Sequence, residues 1–267
     1  MKMQTNSMTE TDARRLMRRM TRRSFTVGGL GALLGVGGWY WLQTRSLESG
    51  LPWPLRRVLE FNEGLTRSYF RSGRLAPTFP REEAREPRVN GPIGLTQDFD
   101  PARWKLDVEV PGHRGPARHF SLDQIKALPR VEMVTELKCI EGWSDPVSWA
   151  GARLSDFAAT YGFGTRSGKT PDPEHRQEDL LPYAYLETPD RKYYVGLDME
   201  SALHPQTLLC YEMNGAALTL DHGAPLRLVI PLKYGIKNIK RIGTIRFSDQ
   251  RPKDYWAERG YDWYAGH

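Results

Sequence analysis

Cysteine is scarce in this chain, and its two occurrences have different surroundings. Cys139 ends an alternating run in TELKCIEGWSD and is followed by Glu141 and Trp143. At such a corner between strand and loop, a thiolate can be stabilised by a cation or can ligate a redox-active metal. Cys210 lies in the apolar run TLLCYEM, which is typical of a buried, unreactive thiol. From their number alone, a Cys139–Cys210 disulfide is an equally good interpretation, and the residues leave both open.

A basic segment towards the carboxyl end is the second candidate for chemistry. A backbone that turns at glycine beside several cations can bind phosphate or another anion. A solvated basic face on an edge strand fits the same spacing and stays open as the alternative. The segment contains Arg227, Lys233, Lys237, Lys240 and Arg241, with Gly235 among them.

Conventional catalytic signatures are absent from the sequence. It contains no G-x-S-x-G, H-E-x-x-H or C-x-x-C motif, which argues against the common serine hydrolases and zinc proteases. Its six histidines are scattered without the spacing of a zinc site. His204 precedes a proline and His222 precedes a glycine, so both are predicted in turns, with solvated imidazoles.

Alternating segments predict the strands that must position these residues. WKLDVEV and VEMVTELKC place apolar residues at every second position, as half-buried strands do. Further strands are predicted in YAYLET, KYYVGL, TLLCYEM, APLRLVIP and the run ending in TIRF, with a hairpin turn at Asn214–Gly215. Ser121 and Gln124 predict a capping box, and Ser155 predicts the cap of a helix in RLSDFAATYG. Residues 164–179 form a polar loop, and the expected fold class is α+β.

Residues 45–95 are expected to form a linker and a wrapping arm. The segment PLRRVLEFNEGLTRSYF predicts a helix with Leu55, Val58, Leu59 and Leu65 on one side. The prolines of APTFPREEAREPRVNGPIG predict an extended arm laid on the main domain.

The amino-terminal region is typical of an export signal. Residues 1–23 are basic, and Arg22–Arg23 followed by Ser24–Phe25 resembles the twin-arginine motif of proteins exported in the folded state. Residues 24–44 carry no charge, and their 21 positions are about the number that a helix needs to cross a bilayer. Trp39–Leu42 stand where a small-residue cleavage site would be. We therefore expect an uncleaved anchor, with a buried helix of a soluble protein as the alternative.

Positive charge is concentrated in that same region. The chain has a formal net charge of +6, of which +5 falls in residues 1–43 and +1 in all the rest. The main domain is therefore nearly neutral, which argues against a nucleic-acid partner.

Two segments together resemble a known family. CIEGWSDPVSWAGARLSDF and HPQTLLCYEMNGAALTLDHGAPLRLVIPLKYGIKNIKRIGTIRF are similar to the molybdopterin-dependent oxidoreductases of the sulfite-oxidase superfamily. The C-x-E-x-W form resembles the branch of the periplasmic methionine sulfoxide reductase catalytic subunit. The similarity implies a single mixed α/β molybdopterin-binding domain over residues 96–267, behind an N-terminal anchor helix. A twin-arginine signal fits this family, because its cofactor is inserted before export.

The resemblance also implies a set of site residues. The Cys139 thiolate is expected to ligate the molybdenum of the cofactor, and Glu141 is expected to lie beside the metal in the catalytic site. Cys210 is then the structural cysteine. The remaining cofactor-binding residues implied are Asn90, Thr188, His222, Arg227, Asn238, Ile239 and Lys240.

The function implied by the resemblance is oxygen-atom transfer in the periplasm. The expected reaction is reduction of a sulfoxide or a related S- or N-oxide. Electrons would come from a membrane haem partner of cytochrome b type, because the chain has no C-x-x-C-H haem motif. The chain also lacks the additional C-terminal dimerisation domain of the sulfite oxidases, so a monomeric catalytic domain is expected.

The residues after the cysteine distinguish this chain from sulfite oxidases. Those enzymes carry an arginine-rich sequence there, whereas Ile140, Glu141 and Gly142 stand here. An acidic side chain beside the metal would repel dianionic sulfite. Oxidation of a small sulfur compound stays an alternative function, as does a non-catalytic exported binding domain closed by the disulfide.

Overall fold

The computed structural model describes residues 10–70, 73–109 and 117–267. Residues 1–9 of the expected basic region and Val110 of the WKLDVEV strand therefore lie outside the described residues. The chain divides into two compact units, one ending at Arg56 and the other beginning at Arg57.

The first unit is dominated by one long helix, α1 (Glu10–Gln43). Its portion Met17–Gln43 is long and apolar enough to cross a membrane, and none of it is buried by the rest of the protein. The helix begins well before the expected anchor and runs through Arg22–Arg23 without a break. A short hairpin of β1 (Leu47–Glu48) and β2 (Leu51–Pro52) follows.

The second unit contains the remaining elements, apart from the first residues of α2, which lie before its boundary. In chain order they are α2 (Trp53–Tyr69), β3 (Leu106–Glu109), β4 (Arg118–Phe120), α3 (Leu122–Lys126), β5 (Arg130–Lys138), β6 (Ser144–Arg153), α4 (Leu154–Tyr161), β7 (Tyr183–Glu187), β8 (Tyr194–Asp198), α5 (Met199–Ala202), β9 (Leu208–Met213), β10 (Ala216–Ala217), β11 (Arg227–Val229) and β12 (Thr244–Ser248).

The strands of the second unit form two five-stranded sheets, so the fold is α+β as predicted. One sheet has the order β10-β9-β6-β5, with β11 also paired to β9, and all of its pairs are antiparallel. The other has the order β4-β3-β12-β7-β8, in which only the β3–β12 pair is parallel.

The core is divided by the first sheet, because successive side chains of a strand point to opposite faces. Leu209 and Tyr211 of β9 belong to the main core, which also takes side chains from the second sheet and α4. Leu208 and Cys210 of the same strand belong to a second, smaller cluster that contains Trp149. Cys210 is therefore a buried packing residue, as predicted.

Several local predictions are confirmed. Ser121 and Gln124 form the capping box of α3, with each side chain accepting a hydrogen bond from the other residue's backbone N–H. Asn214 and Gly215, with φ angles of 51° and 82°, form the turn between β9 and β10. Both angles are positive, as the central residues of a type I′ hairpin turn require.

One local prediction is wrong. Ser155 does not cap α4, because that helix starts at Leu154 and its N-cap residue is Arg153, whose side chain makes no capping bond. Helix α2 forms as predicted, and Leu55, Val58 and Leu65 are exposed on it. The helix packs through Glu63, which is 7% exposed and pairs with Arg251.

The segment before β3 runs in extended form against the first sheet. The Phe79 N–H donates to the Val134 carbonyl oxygen (3.0 Å), and the Arg85 N–H donates to the Pro146 carbonyl oxygen (2.8 Å). These bonds attach the segment to β5 and β6. They bring residues 87–93 towards the turn that joins those two strands.

Candidate active site

Cys139 lies in the tight turn between β5 and β6. Its N–H donates to the Trp143 carbonyl oxygen (2.9 Å), and the Gly142 N–H donates to the Cys139 carbonyl oxygen (3.1 Å). Gly142 has a φ of 88°, a conformation that only glycine adopts easily. The turn therefore holds the thiol at the end of a rigid hairpin.

The thiol faces a cavity of about 250 Å³. Its walls come from five parts of the chain that are far apart in sequence: the extended segment, the β5–β6 turn, Tyr193 just before β8, the region around β11 and the carboxyl-terminal tail. The predicted residues that line it are Asn90, Cys139, Glu141, His222, Arg227, Asn238 and Lys240.

Among the described residues, Asn90 places a side-chain hydrogen-bond donor near the Cys139 thiol. Asn90 Nδ2 lies 3.4 Å from Cys139 Sγ. Burial raises the pKa of the Cys139 thiol, and the Glu141 carboxylate adds to that effect. Without a bound cation the thiol therefore stays protonated at neutral pH, and a metal ligand role requires the metal to displace the proton. Both cysteines are free thiols in the structure, which removes the support for a Cys139–Cys210 disulfide.

Lys240 connects the region after β11 with the extended segment that contains Asn90. Its Nζ donates to the Asn90 carbonyl oxygen (2.6 Å). Burial, followed by the repulsion of the Arg227 guanidinium, lowers the pKa of Lys240 to about 8. An anion that enters the cavity would stabilise the charged form of this lysine.

Arg227 and His222 place unsatisfied nitrogens in the same wall. Each is 2% exposed. Arg227 donates through Nη1 to the His222 carbonyl oxygen (3.2 Å) and through Nη2 to that of Asn238 (3.3 Å). Its Nε and the Nε2 of His222 are buried and have no hydrogen-bond partner in the described part of the chain.

These unsatisfied nitrogens fit an anionic ligand. Burial lowers the pKa of Arg227 to about 10, and burial together with the Arg227 cation lowers the pKa of His222. A buried polar group without a partner costs about 1–3 kcal/mol. A phosphate or another polar anionic group in the cavity would recover that cost. The donor set therefore fits a phosphate-bearing cofactor such as molybdopterin.

A metal in this cavity needs further ligands besides those that the protein supplies. Among residues 10–70, 73–109 and 117–267, no group of three or more His, Cys, Asp or Glu side chains is placed to hold a metal ion. Cys139 can supply one soft sulfur ligand. A cofactor that brings its own sulfur ligands is consistent with this arrangement.

Thr188 and Ile239 are not among the residues that line the cavity, so the cofactor contact expected for them stays a prediction. The Thr188 hydroxyl donates to Asp190 Oδ1 (2.7 Å), so it serves a local turn. Ile239 is 1% exposed and belongs to the main hydrophobic core. Asn238 lines the cavity, but its Oδ1 accepts a hydrogen bond from the Ile230 N–H (2.8 Å) and so supports the fold.

Three cations of the basic segment are structural, which corrects both sequence interpretations for them. Lys233 Nζ lies 3.4 Å from Asp198 Oδ2, and Lys237 Nζ lies 2.5 Å from Asp254 Oδ2. Both pairs are buried. Arg241 is also buried and donates to the carbonyl oxygens of three residues, Thr96, Leu220 and Ala224. Of the five cations of the segment, Arg227 and Lys240 line the cavity.

The expectation of solvated histidines is likewise wrong. His204 and His222 are 1% and 2% exposed. His204 Nε2 lies 3.2 Å from the Arg74 carbonyl oxygen, and its Nδ1 accepts from the Gln206 N–H. A turn position predicted exposure, but the extended segment covers one histidine and the cavity wall contains the other.

The sequence also missed part of the cavity wall. Trp256 and Tyr261, in the carboxyl-terminal tail, meet edge to face with ring centroids 5.1 Å apart. Trp143 donates through Nε1 to Glu141 Oε2 (3.1 Å), and the Arg88 guanidinium lies 5.8 Å from its ring centroid. All five side chains line the cavity. No motif marks the tail residues, since only the folding of the tail brings them to the site.

The comparison with protein families identifies this architecture. Residues 93–256 match the family described as the oxidoreductase molybdopterin binding domain. The chain belongs to this family. It is a molybdenum-dependent oxidoreductase whose cofactor is molybdopterin.

The oxidoreductase is also similar to individual proteins. It is 32% identical over 253 residues to a protein of Azospira oryzae whose name assigns it as subunit YedZ1 of a protein-methionine-sulfoxide reductase. That match covers 93% of this chain and 87% of the relative. The catalytic subunit MsrP of Campylobacter jejuni is 35% identical to this chain over 185 residues. That match covers 65% of this chain and 59% of the relative, so the chain spans little more than half the length of this relative.

One solved structure is also similar to this chain. The sulfane dehydrogenase SoxCD of Paracoccus pantotrophus aligns over 67% of this chain and 46% of its own chain, with 19% sequence identity and a TM-score of 0.48.

Proposed function

We propose that this oxidoreductase reduces a sulfoxide, or a related S- or N-oxide, by oxygen-atom transfer on the periplasmic side of the membrane. The observation that carries the proposal is the Cys139 thiol in the cavity wall, with an acidic neighbour, Glu141, in place of a cation. The names of the similar proteins, which are protein-methionine-sulfoxide reductase subunits, support the same reaction class.

The balanced reaction converts a sulfoxide, two electrons and two protons into a thioether and water. When bound, the molybdenum cofactor supplies the oxygen-atom transfer and the two-electron redox chemistry. The protein supplies the thiolate of Cys139, which the Asn90 amide orients by its hydrogen bond to sulfur. Arg227, His222 and Lys240 would hold the anionic part of the cofactor.

Glu141 is the residue that favours a neutral substrate. Its carboxylate is exposed in the cavity wall and is oriented by the Trp143 indole. A sulfoxide carries no net charge, whereas sulfite is a dianion that this carboxylate repels. Trp143, Trp256 and Tyr261 would offer aromatic surface to the alkyl groups of the sulfoxide.

Electrons must come from another protein, and we propose a membrane haem protein. Helix α1 provides a candidate membrane span in this chain, and the basic region with Arg22–Arg23 supports export of the folded, cofactor-loaded enzyme. The near-neutral charge of residues 44–267 argues against a nucleic-acid partner, and we propose a monomeric catalytic domain.

Two opposing reactions test the proposal. We expect methionine sulfoxide to reoxidise the chemically reduced molybdenum centre, and sulfite to leave the oxidised centre unchanged, both followed by the absorbance of the centre. Reduction of the centre by sulfite, without reoxidation by any sulfoxide, would instead establish the sulfur-oxidising alternative.

Substitution of Glu141 tests the source of the discrimination. We expect Glu141→Gln to strengthen competitive inhibition by sulfite about fivefold, the equivalent of ~1 kcal/mol for removal of one repelling charge. The control Glu141→Asp keeps the charge and should keep the weak inhibition. If both variants bind sulfite as the wild type does, the carboxylate does not set the substrate charge.

A further inference from the structure

Helix α2 carries an apolar stripe on its exposed side. The stripe consists of Val58, Phe61, Leu65 and Tyr69, which are 54%, 71%, 49% and 69% exposed. Their spacing of three and four residues places them on one side of the helix. All four belong to the second unit.

The opposite side of α2 is fixed to the body of that unit. Glu63 is 7% exposed and lies within ion-pair distance of Arg251 and Arg67. The Arg67 guanidinium also lies 5.9 Å from the centroid of the Tyr264 ring. These contacts fix the rotation of the helix about its axis. The fold therefore keeps the stripe on the outward side of α2.

The position of α2 in the chain limits what can cover the stripe. Nine residues separate the end of α1 at Gln43 from the start of α2 at Trp53, and a chain of that length spans at most about 30 Å. Residues 17–43 of α1 are long and apolar enough to cross a bilayer. If α1 is the membrane anchor, the start of α2 stays within that distance of the bilayer surface.

We propose that the stripe of α2 is immersed in the surface of the lipid bilayer, so that the catalytic unit rests on the membrane through this helix. Aromatic and aliphatic side chains on one side and charged residues on the others are typical of helices that lie in the membrane interface. The Arg57 side chain, 57% exposed beside the stripe, can extend to lipid phosphates. The inference rests on the proposed anchoring by α1.

A lipid surface fits the stripe better than the electron donor does. No residue of α2 lines the cavity, whereas a protein that delivers electrons to the cofactor has to approach the cavity. The stripe therefore holds the enzyme on the membrane, and it leaves the cavity wall to the substrate and the donor.

Photocrosslinking of the full chain in nanodiscs tests this assignment. The crosslinking residue p-benzoylphenylalanine replaces Phe61 or Leu65, and the nanodiscs contain phosphatidylethanolamine and phosphatidylglycerol that carry alkyne-tagged acyl chains. Glu60, 41% exposed on another side of α2, is the matched control position. Leu33, 72% exposed in α1, reports on the anchor itself.

We expect lipid adducts at Phe61 and Leu65 at a yield several-fold above that at Glu60. Equal yields at all three positions, or adducts with a protein partner or a second copy in native membranes, would overturn the assignment. Labelling at Leu33 without labelling at Phe61 and Leu65 refutes the interfacial helix alone. Absence of labelling at Leu33 as well refutes the anchor of the proposed function. Bound molybdenum in each variant shows that it is folded.

Discussion

The two cysteines of this enzyme differ only in their surroundings. Burial raises the pKa of Cys210 to about 12, inside a packed cluster with no route to a ligand. Burial also raises the pKa of Cys139, but Cys139 lines the cavity and has the Asn90 amide at hydrogen-bond distance. The same chemical group is a core residue at one position and a candidate metal ligand at the other.

Lys240 predicts a pH dependence of cofactor binding. Its pKa of about 8 means that the side chain is a cation below pH 8 and loses its charge as the pH rises through that value. A bound anion raises the pKa of Lys240. The affinity for the cofactor therefore begins to fall at the pKa that Lys240 has in the cofactor-free protein. We therefore expect weaker rebinding of molybdopterin above pH 8 than below it, measured by cofactor fluorescence.

Substitutions of lysine separate this effect from general pH sensitivity. Lys240→Gln should weaken cofactor binding below pH 8 and flatten its pH profile. Lys105→Gln, which changes an exposed lysine of the second unit, should leave the profile as in the wild type. An unchanged profile in Lys240→Gln would show that this lysine does not bind the cofactor.

At the scale of the elements, the sequence predicted most strands but missed the longest. Strand β6 (Ser144–Arg153) pairs with both β5 and β9, yet Pro146 and Gly151 interrupt its pattern. Proline and glycine usually mark turns. Here the Gly151 position is required by packing, because a Cβ there would lie 2.2 Å from the Leu209 carbonyl oxygen.

The same glycine gives a prediction about stability. Gly151→Ala should reduce the free energy of unfolding by about 1–3 kcal/mol, because backbone atoms of β9 must move to accept the methyl group. Gly64→Ala is the matched control, since nothing lies within 4 Å of the added Cβ and alanine favours a helix. Thermal unfolding followed by circular dichroism measures both. Equal melting temperatures for Gly151→Ala and the wild type would contradict the packing described for β6.

The residues of the site were predictable only where a motif or a resemblance marked them. Cys139 and Glu141 stand in one short motif, and Arg227 and Lys240 stand in one basic segment. Trp256 and Tyr261 come to the cavity through the tail, and Thr188 turns its hydroxyl into a local hydrogen bond. The spacing of residues in the sequence does not show which side chains from distant parts of the chain come into contact.

In the whole molecule, one chain combines a candidate export signal, a candidate membrane span and a redox domain. Arg22–Arg23 and the apolar portion of α1 lie in one continuous helix. We expect the double substitution Arg22→Lys and Arg23→Lys to block export, because twin-arginine recognition depends on that pair.

Protease treatment of spheroplasts measures the export defect. The wild-type catalytic unit should be degraded from outside, and the doubly substituted unit should be protected. The equivalent change at Arg18 and Arg19, a second arginine pair in the same helix, is the control and should leave export intact. Export of both variants would show that Arg22–Arg23 is not an export signal.

The proposed function depends on ligation of the molybdenum of the bound cofactor by Cys139. X-ray absorption at the molybdenum edge tests it most directly, on holoenzyme that carries Cys139→Ser, Cys210→Ser or neither. We predict one fewer sulfur neighbour of molybdenum in Cys139→Ser, and the wild-type number in Cys210→Ser. The same number of sulfur neighbours in Cys139→Ser as in the wild type would show that Cys139 does not ligate the molybdenum.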